Sequence, residues 1–486
     1  MSRIDQLHSW HDDWKDLKVV VFGLGVSGFS AADTLAELGA EVLVVAAAAD
    51  EEQLEILDVL GVSAVITSDN EELLSKVQDF APELIITSPG VRPEHDLINW
   101  AKESSVPVWV DIDLAWRLRD KVGKPAEWFL ITGTNGKTTT AQLLEHIFLT
   151  SGLRAMACGN IGTPILDAIR VPDGLDALVV ELSSFQLHYM GQVSPHSAAV
   201  LNLDLDHLDW HGSFENYRDA KAKVYQQVRI ACVYNGQDLA TERMVEEADV
   251  VEGARAIAFT LAIPARSQVG YVEEILADRA FLDDRANSAI ELATTSDIEQ
   301  ISVLTDHLKQ NVAAASALAR AAGVEPAAIQ QAIRSFKLDG HRIELVLEKD
   351  QIRWFDDSKA TNVHATAASL KSFDSVIWLV GGLLKGVEIE PLIAEYANRI
   401  KFAIVLGKDA DPVLAAFAKV APHISTYRVK AESGFAVMVE AVEAAKKVAA
   451  PTDVVLLAPA AASMDQFKDY AERGNLFANA VRELVS

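Results

Sequence analysis

The stretch Trp128-Phe129-Leu130-Ile131-Thr132-Gly133-Thr134-Asn135-Gly136-Lys137-Thr138-Thr139-Thr140 decides how this chain is read. Its first five residues form an apolar, partly β-branched run of the kind a buried strand needs, and a glycine-rich turn then opens a helix near Thr138. Successive backbone N–H groups in such a turn make a concavity for an anion, and the helix N-terminus adds partial positive charge. A lysine in the turn and a hydroxyl after it suit the β- and γ-phosphates of a nucleoside triphosphate and its Mg2+. The common GxxxxGK[ST] spacing is not met, because Ile131 stands where its first glycine would be.

Working outward, 486 residues are enough for about three domains, each with a core of its own. Hydrophobic residues make up 50% and charged residues 23%, the balance of a soluble globular protein. A formal charge of −27 argues against non-specific nucleic-acid binding or a basic membrane patch. The polar, acid-rich segment Met1–Lys18 does not read as a signal peptide, and no uninterrupted apolar run approaches the ~20 residues of a membrane span. Cys158 and Cys232 lack metal-ligand spacing, so neither a zinc site nor a disulfide framework is expected, and a reducing cytoplasm fits.

Three α/β blocks are expected, at 1–120, 121–338 and 339–486. In the first, a strand at Lys18–Phe22 runs into Gly23-Leu24-Gly25-Val26-Ser27-Gly28 and a helix to Leu38, with further strands at Glu41–Val45, Ala64–Thr67 and Leu84–Thr87. Alternating strands and helices predict a parallel, Rossmann-like sheet. Asp120–Glu127 reads as a linker. The second block holds the phosphate loop, strands at Ala177–Leu182 and Ala198–Leu203, a less regular region, a hairpin over Val269–Leu282 and an alanine-rich helix from Leu308 to Ala322 capped by Gly323. The third block is expected to be Rossmann-like, with strands near Ile352–Phe355, Val376–Val380, Phe402–Leu406 and Val454–Ala458.

Gly23-x-Gly25-x-x-Gly28 has the form of a dinucleotide fingerprint, but Ala46–Ala49 stand where its ribose-binding acid should be. A nicotinamide cofactor is therefore not expected, while a phosphate-bearing ligand over the helix N-terminus is. Glu181 closes one strand and His207 closely follows another, on the side of a parallel sheet where ligands bind. A carboxylate and an imidazole there can ligate Mg2+ or hold a reacting anion. Lys221 lies on a helix and from spacing alone reads as solvated. In the third block, Gly340-His341-Arg342, Asp357-Ser358-Lys359-Ala360-Thr361-Asn362, Gly381-Gly382-Leu383-Leu384-Lys385 and Ser463-Met464-Asp465-Gln466-Phe467 put polar and cationic groups beside strand ends. Such groups suit a small carboxylate, and Arg342 suits a phosphate.

In this order, GLGVSG, SPG, GTNGKTT, GNIG, ELSSFQL, LNLDLDHLD, YRDAK, HRIE, DSKATN, GGLLKG and SMDQF resemble the Mur ligases over nearly the whole chain. The resemblance implies a three-domain fold and a cytoplasmic, monomeric enzyme of peptidoglycan synthesis, with no nucleic-acid or membrane partner. Its pattern is that of the members that use ATP to join D-glutamate to UDP-N-acetylmuramoyl-L-alanine through an acyl phosphate and a tetrahedral intermediate. It implies that Gly133, Thr134, Asn135, Gly136, Lys137, Thr138 and Thr139, with Asn311, Arg342 and Asp357, bind ATP, Lys137 touching the transferring phosphate. Thr138 and Glu181 would hold one Mg2+, and His207 with a carbamylated Lys221 a second. Gly25, Val26, Ser27, Gly28, Ser88 and Gly90 would hold the uridine diphosphate, with Asn160 and Ser183 nearer the reacting end. Lys359, Thr361, Lys385, Ser463 and Tyr470 would form the D-glutamate pocket. The chain departs from the family pattern at His307-Leu308-Lys309-Gln310-Asn311, which lacks the first Asn of HNxxN, and at Ala46–Ala49, which lacks a polar cluster for the uracil.

The rival readings are another Mur-type or folylpolyglutamate-type amide ligase, a nicotinamide-dependent oxidoreductase resting on GxGxxG alone, and a non-catalytic nucleotide-binding scaffold.

Overall fold

The computed structural model describes residues 3–338, 340–384 and 387–485; Lys385 lies outside the described residues. The chain divides into two compact units, Met1–Asp297 with Leu308–Phe336, and Ile298–His307 with Lys337–Ser486.

The first unit carries two sheets. One is built from β1 (Lys18–Phe22), β2 (Glu41–Ala46), β3 (Ser63–Ile66), β4 (Leu84–Thr87) and β5 (Val108–Trp109), in the order β3-β2-β1-β4-β5. All its pairings are parallel. Both faces of the central strands are covered, so β1 and β4 read as continuous apolar runs rather than alternating ones. The second sheet comprises β6 (Glu127–Thr132), β7 (Ala155–Gly159), β8 (Ala177–Glu181), β9 (Ser197–Val200), β10 (Ala231–Asn235), β11 (Arg255–Phe259), β12 (Gln268–Val272), β13 (Ile275–Asp278) and β14 (Ile290–Thr294). Its order is β14-β13-β12-β11-β10-β9-β6-β8-β7. The expected hairpin is the antiparallel pair β12–β13, whereas the region expected to be irregular contributes two parallel strands, β10 and β11.

The second unit holds β15 (Glu344–Lys349), β16 (Ile352–Asp356), β17 (Val376–Gly381), β18 (Ile400–Leu406), β19 (Ser425–Arg428) and β20 (Val454–Leu457), ordered β15-β16-β20-β17-β18-β19. Only the β15–β16 pairing is antiparallel among the described residues. The protein is thus α/β with three mostly parallel sheets. Among the described residues no helix is long and apolar enough to cross a membrane, and both cysteines are buried free thiols.

Within the first unit, one apolar core runs from Leu17, Val19 and Val21 of the first sheet through Leu114 and Leu118 to Trp128 and Leu130 of the second. A polar network reinforces it. Arg170 reaches Asp33 at 2.6 Å, Asp167 at 2.6 Å and Glu37 at 3.1 Å, and Ser30 donates to Asp167 at 2.8 Å. Lys121 also pairs with Glu37. Tyr189 donates its hydroxyl to the Val91 carbonyl at 2.9 Å, and Asp113 accepts from the Gly191 N–H at 2.7 Å. These contacts fix the mouth of the first sheet relative to that of the second.

Arg170 is the shared partner of three carboxylates, so its removal leaves them facing one another. We expect Arg170→Ala to lower the melting temperature of the first unit by ~1–2 °C, the effect of about 1 kcal/mol in a unit of this size. Arg154→Ala, which breaks a single exposed pair with Asp176, should change it less. Differential scanning calorimetry of the two variants checks the order.

Candidate active site

The phosphate loop begins where β6 stops. Thr132 is buried and donates its hydroxyl to the Leu182 carbonyl at 2.8 Å. Gly136 precedes the helix Lys137–Thr150 with φ of +82°, and a Cβ there would overlap the Asn311 side chain. Glycine is therefore demanded twice at this position, by backbone conformation and by the approach of Asn311.

The strand expected over Ala198–Leu203 ends as β9 at Val200, because the next residues leave the sheet to brace this loop. Asn202 accepts the Asn135 N–H through its side chain at 2.8 Å and returns an amide N–H to the Asn135 carbonyl at 3.1 Å. Its own carbonyl accepts the Thr134 N–H at 3.1 Å. Thr134 Oγ1 lies 2.9 Å from the Tyr217 hydroxyl. Lys137 folds back over the loop, donating to the carbonyls of Gly133 and Thr134, each at 2.9 Å. Thr138 is half-buried and Thr139 buried on the first turn.

Glu181 ends β8 level with Ile131 of β6 and Gly159 of β7, and is 2% exposed. Its Oε1 accepts from the Asn160 side chain at 2.8 Å, while its buried Oε2 has no partner. Ser183 caps the helix Ser184–Tyr189 in a reciprocal box with Gln186, which already occupies its hydroxyl. His207 precedes the short helix Leu208–His211 in a left-handed conformation, with its ring packed 4.7 Å from that of Phe185. Burial lowers its pKa, opposed by Asp206 and assisted by the positive charges of Lys221 and Lys137, which favours the neutral imidazole.

Lys221 corrects the expectation of a solvated lysine. It is 2% exposed, lies 4.8 Å over the Tyr217 ring, and donates to the Gly133 carbonyl at 2.9 Å and Thr132 Oγ1 at 3.3 Å. Burial and then the neighbouring Lys137 hold its pKa well below the ordinary lysine range. Helical spacing alone could not reveal this, because the face of the helix that turns inward is set by the packing of Tyr217.

On the first sheet, Gly25 and Val26 are exposed at the start of the helix Val26–Glu37, Ser27 is half-buried, and Gly28 is buried against the Gly23 carbonyl. Ser88 is bound through its N–H to the Phe22 carbonyl, and its buried hydroxyl has no partner. The Gly90 carbonyl lies 3.5 Å from the indole Nε1 of Trp210, three residues after His207. The structure thus brings this loop toward the His207 segment within one unit. Asp111, given no role from sequence, is buried beside the side chains of Ser27 and Gln186, and burial raises its pKa.

In the second unit the assigned residues gather at the ends of β16 and β20. Asp357 is buried, accepts from the Ile343 N–H at 3.3 Å and from the Ser369 hydroxyl, and is pushed up to about 7 by burial, with the positive charge of Arg342 opposing. Lys359 lies 5.3 Å over the Tyr470 ring and donates its N–H to the His341 carbonyl at 3.2 Å. Thr361 donates its N–H to the Lys359 carbonyl at 2.9 Å. Ser463 is buried, its carbonyl accepting from Gln466 and Phe467. His341 Nδ1 sits 2.6 Å from Asp356, a bond that raises the imidazole pKa.

Comparison with known proteins identifies the family. Family models described as Mur ligase MurD-like N-terminal domain, Mur ligase middle domain, and Mur ligase glutamate ligase domain match residues 17–110, 131–319 and 341–461. The chain belongs to the Mur ligase family. A protein of Leifsonia xyli subsp. xyli named UDP-N-acetylmuramoylalanine–D-glutamate ligase is 53% identical to it, the alignment covering 100% of this chain and 96% of that one. One of the same name from Streptomyces coelicolor is 48% identical, with 96% and 98% covered. The solved structure of UDP-N-acetylmuramate–alanine ligase MurC from Thermotoga maritima shares the fold, with a TM-score of 0.55 at 17% identity over 96% of this chain and 100% of that one.

The neutral Asp357 carboxyl is the form the fold favours, so the native state holds a proton that the unfolded chain, titrating near 3.8, has released. This contribution to stability is full below that lower value and is lost as pH rises through about 7. Asp357→Asn should therefore flatten the decline in the second unit's melting temperature between pH 5 and pH 8, as thermal unfolding across that range will show.

Proposed function

We propose that this ligase joins D-glutamate to the alanyl carboxylate of UDP-N-acetylmuramoyl-L-alanine at the expense of ATP, in the cytoplasm and as a monomer. The observation that carries the reading is the full-length identity to ligases of that name. The geometry supports it with a phosphate loop, two lysines and an unpartnered carboxylate oxygen at adjoining strand ends. The oxidoreductase reading, which rested on one glycine motif, has no place in this family.

A carboxylate is a poor electrophile. Its oxygen attacks the γ-phosphorus of ATP, the bond to ADP breaks, and in the resulting acyl phosphate the acyl carbon carries phosphate as a leaving group. The amine of D-glutamate, deprotonated, adds to the acyl carbon, and the tetrahedral intermediate expels phosphate as the amide forms. This chain's residues neutralise charge and orient the partners. The Gly133–Thr139 backbone and Lys137 cradle the triphosphate, and Lys137 turns from the loop carbonyls to the transferring phosphoryl oxygens. Asn311, Arg342 and Asp357 hold the rest of ATP. Gly25, Val26, Ser27, Gly28, Ser88 and Gly90 bind the uridine diphosphate, with Asn160 and Ser183 nearer the acyl end. Lys359, Thr361, Lys385, Ser463 and Tyr470 take the amino acid.

Two Mg2+ ions fit the donor set. The orphaned Glu181 oxygen with Thr138 suits one, and the neutral His207 imidazole suits the other. When bound, they would screen phosphate charge. Burial lowers the Lys221 pKa and so favours the free amine, which would add CO2 with loss of a proton to give a carbamate, an anionic ligand for the second ion. The three-part division at 1–120, 121–338 and 339–486 assigns uridine nucleotide, ATP and amino acid respectively.

Phosphate release should require ATP, Mg2+, UDP-N-acetylmuramoyl-L-alanine and D-glutamate together. Release with a different amino acid would move the substrate, and none with any pair in folded protein would support the scaffold reading. Lys221→Ala should lower turnover about 10²-fold or more. Incubation with 13C-bicarbonate should add a carbamate carbon resonance to the wild type that this variant lacks.

A further inference from the structure

Arg473 is 1% exposed, on the first turn of the closing helix Tyr470–Val485, and helical spacing does not single it out, since an arginine on an amphipathic helix reads as solvated. Its guanidinium makes three hydrogen bonds: Nε to Ser358 Oγ at 2.9 Å, one terminal nitrogen to the Ser358 carbonyl at 2.8 Å, and the other to the Ala461 carbonyl at 3.1 Å. The Ser358 hydroxyl passes its own proton to the Tyr470 carbonyl at 2.8 Å. Burial draws the Arg473 pKa down to about 10, so the group remains a cation at neutral pH.

Placing a cation there is costly, because these three acceptors are neutral. An apolar side chain would fill the space more cheaply, yet it could not do what the planar fork does, which is to bind two loops at once. Those loops leave the neighbouring parallel strands β16 and β20. One is Asp357-Ser358-Lys359-Ala360-Thr361 and the other Ala460-Ala461-Ala462-Ser463. The next residue, Gly474, brings in a third segment: a Cβ there would overlap His341 Nδ1 and Asp356 Oδ2, so the helix lies directly on the His341–Asp356 pair. His341 in turn receives the Lys359 N–H.

We propose that Arg473 is a positioning residue for the amino-acid substrate, its guanidinium setting the spacing between the Lys359–Thr361 loop and the Ser463 loop. This rests on the reading of these loops as the D-glutamate pocket. A dicarboxylate amine held from two sides is sensitive to that spacing, whereas the uridine nucleotide meets residues of the first unit and, of the residues assigned to ATP, Asp357 alone lies on one of these loops.

Arg473→Lys keeps the charge but cannot span Ser358 and Ala461 together. Steady-state kinetics should show its KM for D-glutamate raised about 10-fold or more, with kcat within about 3-fold and the KM for UDP-N-acetylmuramoyl-L-alanine unchanged. Ser358→Ala, which deletes one acceptor and leaves the two carbonyls, should move the same KM by about 3-fold, and the two changes should be non-additive when combined. A purely structural role would change all the KM values together with kcat, and that result, or a D-glutamate KM within twofold of wild type, overturns the proposal. Should Arg473→Lys not fold, Ser358→Ala decides by the same split. Wild-type enzyme that ignores D-glutamate overturns the functional reading and this inference with it; wild-type turnover with no selective KM change overturns the inference alone.

Discussion

The carbonyl oxygen of Gly133 accepts hydrogen bonds from two lysine side chains, Lys137 Nζ and Lys221 Nζ, each at 2.9 Å. Burial and the Lys137 charge lower the Lys221 pKa, while the nearby carboxylates of Asp206 and Glu181 oppose the shift. Lys221, the more deeply buried, is the one that burial and Lys137 together drive toward the neutral amine. Around this shared acceptor sit the glycine turn that lets the loop fold tightly, Asn202 that pins it, and the Glu181 oxygen left without a partner. On the proposed reading, a carbamate on Lys221 would reverse the sign of its interaction with Lys137.

The same logic of buried charge recurs in the second unit with a different outcome. Burial pushes the Asp357 pKa up to about 7, and the bond to Asp356 raises that of His341. Arg473 differs; its pKa stays high enough to retain the charge, and three neutral acceptors solvate it in place of water. A buried group that can neutralise itself tolerates apolar surroundings, whereas a guanidinium must be given partners. Its partners are therefore informative about what the surrounding chain is required to hold still.

Local pattern in the amino-acid sequence makes the phosphate loop, the strands beside it and the parallel architecture legible. The glycine turn after an apolar run is a short-range signal, and Glu181 follows from strand periodicity plus its position at a carboxyl end. Lys221, Asn202 and Arg473 are opaque for a common reason. Each is defined by a partner distant in sequence, Lys221 by Gly133, Asn202 by Asn135, and Arg473 by Ser358 and Ala461. The end of the strand at Val200, short of its expected limit, has the same origin: Leu201-Asn202-Leu203 has strand-like alternation, but Asn202 is drawn off to serve the loop. Strands β10 and β11 escape a pattern-based reading because the alanines and polar residues within them dilute the apolar run.

The glycine motif of the first sheet shows how a fold-level signal can report packing without naming a cofactor. Gly28 is required because the helix packs onto the Gly23 carbonyl, so its presence reports helix–strand contact and not the identity of a ligand. What selects the ligand lies elsewhere. The absence of an acid at Ala46–Ala49 removes the usual partner of a ribose 2′-hydroxyl, and the unpartnered hydroxyl of Ser88 stands against the same glycine turn. Asp111 adds a buried carboxyl beside the side chains of Ser27, on the helix after the glycine turn, and Gln186, on the helix after β8. The Arg170 network holds the two sheets in register. On the proposed reading, this loop takes the diphosphate of the uridine nucleotide, whose other end would then lie toward Glu181 and His207 and carry its carboxylate to the phosphate loop.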